Sequence, residues 1–320
     1  MVSRRVLLAA PFVATAARAQ SWPARPVRIV IPFPPGGGID ILVRAAAQDL
    51  SAHWRQPVVV ENRAGAGGVI GTEAVARATP DGYTLLGTTN QTITSGRFLY
   101  KQLPYDPDRD LAPVSLMVSS DQLVLAHPSV PANTLAELVA LARREPGKLT
   151  YGSFGIGTQP QLLFETLNSR AGLDLLHVPY NGISPLLLAL TAGEVMLTTG
   201  SAAVAGELLR GGRAKALAVT GTQRVAQFQH VATAAEQGFG YLRATIWYAL
   251  FAPAGTPDDI IRKVAADLTA VLRAPNFAER QVRAKALDLV ASDGAALARV
   301  IREEVPLMQT MIQTARIEPQ

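Results

Sequence analysis

The sequence has no cysteine and only four histidines in 320 residues. The first absence excludes a disulfide framework, a thiolate metal site and a lipid anchor on an N-terminal cysteine. The second leaves little for an imidazole site: His53, His127, His177 and His230 form no pair at ligand spacing, and the carboxylates are scattered. No metal and no cofactor are expected. Charged residues make up 17% of the chain and aromatics 6%. No cluster of Lys and Arg with interleaved aromatics occurs, so nucleic acid is not an expected partner. No segment supplies the roughly 20 apolar residues that a membrane-spanning helix needs.

What is present begins with a leader-like start. Arg4 and Arg5 precede a mostly apolar run over residues 6–17, and Ala17-Arg18-Ala19 has the small-x-small form of a cleavage site. Residues 1–20 therefore read as an export signal peptide, and Ser3-Arg4-Arg5-Val6-Leu7-Leu8 partly resembles a twin-arginine signal. Arg4, Arg5 and Arg18 account for 3 of the net charge of +5, which leaves +2 for the exported chain. A soluble, unanchored monomer of the periplasm is expected.

Hydrophobic residues form 48% of the chain, enough core for one large or two modest domains. Short β-rich runs at 27–31, 58–60, 84–86 and 114–118 alternate with helical patterns at 41–53 and 68–78. The alternation resumes with strands at 149–151, 175–179, 195–198 and 214–219, and helices at 135–144, 161–169, 184–190 and 202–209. An aromatic β-like stretch at 241–251 precedes helices at 258–272 and 295–315. This pattern predicts an α/β fold with mostly parallel sheets. Thr134 and Glu137 form a capping box after Pro128 and Pro131, a natural place for the chain to cross between domains. The expected division is lobe 1 over 21–122 plus 246–320 and lobe 2 over 123–245.

Two glycine loops carry most of the functional information. Pro32-Phe33-Pro34-Pro35-Gly36-Gly37-Gly38-Ile39-Asp40 joins the first strand to the first helix. Gly152-Ser153-Phe154-Gly155-Ile156-Gly157-Thr158 makes the same strand–turn–helix junction later in the chain. Such junctions turn backbone N–H groups and a partly positive helix end toward an anion. Two of them suggest two half-sites gripping one small acid. Asp40 is read as either a helix cap or a contact for a ligand amine or hydroxyl. Asn90, Gln91 and Thr92 end a strand at the carboxyl edge, where α/β sheets bind ligands. Trp247 and Tyr248 are core residues or cleft-lining ones.

Other motifs point to enzymes less well. Gly65-Ala66-Gly67-Gly68 with Gly71 resembles a variant dinucleotide fingerprint, but the strand that follows leads into Gly87-Thr88-Thr89-Asn90, without an acid for a ribose. Ser153 lies near a nucleophile-elbow pattern but Tyr151 replaces its first glycine, and no histidine sits in a recognisable catalytic context. Gly147-Lys148 lacks the rest of a phosphate-loop pattern.

The chain resembles the Bug family of periplasmic solute-binding receptors associated with tripartite tricarboxylate transporters. The similarity runs from Trp22 to the C-terminus. It rests on Trp22-Pro23-Ala24-Arg25-Pro26-Val27-Arg28, the 32–40 loop, Gln56-Pro57-Val58-Val59-Val60-Glu61-Asn62-Arg63-Ala64-Gly65 and Pro80-Asp81-Gly82-Tyr83-Thr84. His177-Val178-Pro179-Tyr180, Leu217-Ala218-Val219-Thr220 and Phe251-Ala252-Pro253-Ala254-Gly255-Thr256-Pro257 extend it. The resemblance implies a two-lobed, flytrap-like periplasmic binding protein of type II, with a ligand cleft between the lobes. It implies that the loops at 34–40 and 153–158 meet a ligand carboxylate, and that Asp40 meets an amino group in members that bind amino acids. Candidate ligand-binding residues are Pro35, Gly36, Gly37, Gly38, Asp40, Asn90, Gln91, Ser153, Gly155, Gly157, Thr158, Gln161 and Tyr180. Gln161 stands where many members carry histidine. Ile39 is bulkier than usual, and Phe228-Gln229-His230-Val231-Ala232-Thr233 replaces a proline-containing segment.

The expected function is capture of a small organic carboxylate without chemistry, and its delivery to the permease subunits of a membrane transporter. A sensor protein is a possible second partner. The alternative is an exported enzyme, a hydrolase built on Ser153 or a nicotinamide-dependent dehydrogenase built on residues 65–71.

Overall fold

The computed structural model describes residues 22–155 and 157–319. The expected leader at 1–20 lies outside the described residues. The chain opens with β1 (Val27–Ile31), α1 (Gly38–Trp54), β2 (Val58–Asn62), α2 (Val69–Ala76) and β3 (Thr84–Thr89). A short α3 (Gly96–Leu99) leads to β4 (Leu111–Ala126) and α4 (Leu135–Arg144). A second alternating run follows: β5 (Thr150–Ser153), α5 (Gln159–Ala171), β6 (Leu176–Pro179), α6 (Ile183–Ala192), β7 (Leu197–Ser201), α7 (Ala202–Arg210) and β8 (Lys215–Val219). The chain closes with β9 (Thr245–Pro253), α8 (Asp258–Arg273), the one-turn α9 (Pro275–Phe277), β10 (Asp288–Leu289) and α10 (Gly294–Thr314).

The strands form a two-lobed α/β structure whose halves repeat one topology. In the first, β2, β1 and β3 run parallel and β9 adds antiparallel to β3. In the second, β6, β5 and β7 run parallel and β4 adds antiparallel to β7. The order reverses beside β1 in one half and beside β5 in the other. The crevice at such a switch point, beyond the carboxyl ends of the strands, is where open α/β sheets bind ligands. The loops after β1 and β5 are the two glycine loops.

Strand β4 serves both halves. Its residues 111–121 pair with β9, whereas residues 122–126 pair with β7 and β8. The crossing therefore occurs inside a continuous strand, not at Pro128 and Pro131, which follow after the chain has joined the second half. There Val130 and Ala132 are buried with Leu135 and Leu138. The expectation of mostly parallel sheets is also corrected. β4 pairs antiparallel with β7, β8, β9 and β10, so each sheet is mixed.

Packing explains why the elements stay in place. α1 buries Leu42, Val43, Ala46 and Leu50 against one face of the first sheet, and α8 adds Val264, Leu268 and Leu272. The opposite face packs against Leu297 and Ile301 of α10. In the second half, α4 and α5 cover one face and α6 and α7 the other. The C-terminal part of α10 ties the halves together: Met308, Met311 and Ile312 pack on Leu99 of α3 and Leu162 of α5.

Candidate functional site

The first loop leaves β1 at Ile31 and enters α1 at Gly38. Residues 34–38 are exposed, whereas Ile39 and Asp40 are buried. Gly36 takes φ +87°, a left-handed conformation that glycine adopts without a Cβ penalty. No side chain caps α1. Its first-turn N–H groups thus face outward without partners, at the end of a 17-residue helix whose dipole favours an anion there.

Asp40 is not the cap that sequence allowed. The helix begins two residues earlier, so Asp40 sits in its first turn. Its Oδ2 accepts the Gly36 N–H at 2.9 Å, its Oδ1 accepts Asn62 Nδ2 at 2.9 Å, and Arg44 Nε reaches both oxygens at 3.0 and 3.1 Å. Burial pushes the carboxyl up, but hydrogen bonds from Arg44, Gly36 and Asn62 outweigh it and hold the group below its ordinary value of 3.8. The carboxylate braces the loop from behind.

The second loop has the same brace. Gln161 Oε1, four residues after Gly157, accepts the Gly157 N–H at 2.7 Å. α5 likewise has no side-chain cap, and Thr158 Oγ1 donates instead to the Gly155 carbonyl at 2.6 Å. Gly155 and Gly157 take φ +141° and +73°. A Cβ on Gly157 would lie 2.6 Å from the Leu99 side chain, so glycine also lets this loop close on α3.

Ser153 has a histidine beside it, which sequence spacing did not reveal. Its Oγ lies 2.7 Å from His177 Nε2 and donates to the Gly155 carbonyl at 3.0 Å. Gln161 Nε2 faces His177 Nδ1 at 3.4 Å. The network runs one way: Gln161 N–H to Nδ1, Nε2–H to Ser153, and the serine hydroxyl to Gly155. A hydrolytic serine needs the reverse, with the imidazole accepting its proton. Ser153 is also fully buried, so no acyl group reaches it. Burial lowers the His177 pKa from 6.5, against a smaller upward pull from Glu165, and this keeps the ring neutral. Strand order explains the pairing: Tyr151 is in register with His177 on adjacent parallel strands, which puts Ser153 and His177 on one face.

The remaining predicted residues fall in different places. Pro35 lies exposed at the first loop. Tyr180 donates its N–H to the Ser153 carbonyl at 2.8 Å, and its ring packs near Gly152. Gln91 lies beside Gly67. Asn90 belongs to the crossing: its Nδ2 donates to Thr245 O at 2.9 Å and to Glu304 Oε1 at 2.8 Å. From the other half, Gln159 Nε2 donates to the same Thr245 carbonyl at 2.8 Å. Gln159 and Glu304 were not singled out from sequence, because nothing local marks a residue whose partner is 86 or 57 positions away.

The other expected or excluded sites resolve simply. The glycines at 65–71 serve close packing: a Cβ on Gly71 would lie 2.5 Å from the Arg63 carbonyl, and one on Gly68 would lie 2.6 Å from Thr92. A cavity of about 480 Å³ opens at the amino ends of β1 and β3, away from the glycine loops. Its Arg25, Arg28 and Arg77 are each paired with a carboxylate, from Asp81, Glu61 and Glu73. Among the described residues, no group of His, Asp and Glu is arranged to hold a metal, and no helix is long and apolar enough to cross a membrane.

With this geometry in hand, similarity to known proteins is specific. Residues 42–317 match the model of the tripartite tricarboxylate transporter family receptor. The chain is 36% identical to Protein BugT of Bordetella pertussis over 257 residues, covering 80% of this chain and 79% of that one. It superimposes on Rpa4515 of R. palustris, solved with adipate, with TM-score 0.84 and 31% identity, covering 93% of this chain and all (100%) of that one. MatC from Rhodopseudomonas palustris, solved with bound malate, gives TM-score 0.80 and 29% identity, with 91% and 100% covered. The two-lobed sheet, the paired glycine loops and the match across most of the chain place it in the Bug family of periplasmic receptors for tripartite tricarboxylate transporters.

Proposed function

We propose that this protein captures a small organic carboxylate between its lobes in the periplasm and delivers it to the permease subunits of a tripartite transporter. The observation that carries the reading is the pair of uncapped helix ends, α1 and α5, each behind a glycine loop braced by a side chain four residues on. Each helix end contributes partial positive charge worth about 0.3–2 kcal/mol toward an anion. The adipate and malate held by the related receptors are carboxylates of the same size class.

Lobe closure supplies the selectivity for the bound state. In an open form a carboxylate meets one loop only; in a closed form it meets both and loses its water. A ligand shifts the equilibrium by its difference in affinity for the two forms, so contact by both loops favours closure. We place lobe 1 at 21–122 plus 246–320 and lobe 2 at 123–245, with β4 and the approach to β9 as the crossings. The closed surface of a monomer then presents the ligand to the permease. Residues 1–20 act as the cleaved leader.

The test is calorimetry and thermal unfolding of the exported chain with malate, adipate, succinate, citrate and acetate. Saturable one-to-one binding of at least one acid, with a raised melting temperature and no chemical change in it, is expected. Absence of heat and of any thermal shift across the panel would sink the reading.

A further inference from the structure

The end of α1 has one more polar group beside it. Tyr248 of β9 points to the same face of the first sheet as α1, whereas its neighbour Trp247 points to the opposite face and donates to Glu304. This follows from strand alternation. α1 passes over β3 at Gly87, where a Cβ would meet Val43 at 3.1 Å, and so reaches across to β9. The Tyr248 ring packs into the first core, and its hydroxyl arrives at the first residue of the helix. A Cβ on Gly38 would lie 2.3 Å from that hydroxyl and 3.1 Å from the ring carbon carrying it. Only glycine at position 38 lets the ring approach the helix end this closely.

Tyr248 is partly buried. Among the described residues its hydroxyl makes no hydrogen bond, and burial raises its pKa, so it stays an O–H donor at neutral pH. A phenol O–H free of protein partners thus sits beside the N–H groups of an uncapped helix end. The acceptor closest in type, the Asp40 carboxylate, is already occupied by Gly36, Arg44 and Asn62.

We infer that the Tyr248 hydroxyl is a ligand-binding donor that, with the Gly37, Gly38 and Ile39 N–H groups, completes the first-lobe seat for the ligand's carboxylate. This rests on the carboxylate reading above. It also defines the class of ligand group favoured there: three N–H donors and a phenol O–H converge on an acceptor, and a carboxylate oxygen fits it. β9 places this seat three residues from Thr245, whose carbonyl holds Gln159 at the start of α5. At about 3.3 Å per strand residue, Tyr248 and Thr245 stand roughly 10 Å apart along β9.

The test compares wild type, Tyr248→Phe and Gly38→Ala by calorimetry with malate, adipate, succinate, citrate and acetate, alongside melting temperature without ligand. Tyr248→Phe keeps the ring and its packing, so the melting temperature should hold. Affinity for whichever acid the wild type binds should fall about tenfold or more, the size of one hydrogen bond to a charged group. Gly38→Ala should weaken binding further, because its methyl displaces the ring. If Tyr248→Phe binds within twofold of wild type, the assignment of Tyr248 is overturned while carboxylate capture stands. If wild type binds none of the five acids, the seat assignment falls together with the reading it rests on.

Discussion

Gly157 donates its N–H to Gln161 Oε1 at 2.7 Å, and Gly36 does the same to Asp40 Oδ2 at 2.9 Å. Both braces span four residues, and both start at a glycine with positive φ. The two half-sites are thus built alike, although one acceptor is a carboxylate and the other an amide. A brace behind the loop leaves the helix N–H groups free in front.

Removing either brace should therefore damage both fold and binding. Asp40→Ala strips Gly36, Arg44 and Asn62 of an acceptor, and since water can reach Gly36 and Arg44, the net loss is about 0.5–1.5 kcal/mol per bond. Unfolding by urea should show a loss of that order, and malate or adipate affinity should fall in the same variant. Unchanged affinity with lowered stability would mean that the brace does not shape the site. Gln161→Ala should show the same joint loss.

Acid should act on the first brace in a defined window. The folded-state pKa of Asp40 lies below its ordinary 3.8. The stabilisation is therefore present above pH 3.8 and is lost as pH falls through the lower, folded value. Asp40→Asn removes this contribution. Between pH 5 and pH 3, melting curves of wild type should fall more steeply than those of the variant.

The second loop should respond at milder pH. His177 has a lowered pKa, so the unfolded chain binds its proton more readily, and stability is lost as pH falls below 6.5. A protonated Nδ1 also confronts the Gln161 amide hydrogens. Turning that amide removes the acceptor from Gly157. Ligand affinity should therefore weaken as pH falls through the lowered folded-state value of His177, and His177→Gln should flatten the change. An equal slope in the variant would place the titrating group elsewhere.

The crossing offers a test away from the ligand. Glu304 accepts from Asn90 at one oxygen and from Trp247 at the other. Burial pushes its carboxyl up, while hydrogen bonds from Asn90, Trp247 and Thr94 pull the other way. Glu304→Gln turns one acceptor into a donor facing another N–H. The cost should be about 1–3 kcal/mol in chemical unfolding, with the glycine loops unaffected.

How much of this was legible in the sequence varied with distance along the chain. Helix α4 appears at the residues its capping box marks, and Thr134 Oγ1 accepts the Glu137 N–H at 3.1 Å. The two glycine loops were legible because strand, turn and helix are contiguous. β4 was read at a third of its 16 residues, since it exchanges partners midway and Pro113 interrupts its pattern at a bulge. β10 has two residues and borrows its conformation from β4. At the site, Asp40 stood out, but its role did not, because Asn62 reaches it from 22 positions away. Ser153 and His177 became neighbours only through the pairing of β5 with β6.

The central claim is that the two uncapped helix ends hold the ligand. Backbone ¹⁵N–¹H spectra of the exported chain, titrated with malate or adipate, test it residue by residue. The account predicts saturable shifts at Gly37 and at Gly38 and Ile39 of α1, together with Gln159 and Gln161 of α5. Saturable binding that leaves these amides unmoved, or that moves residues around Arg25, Arg28 and Arg77 instead, would contradict it.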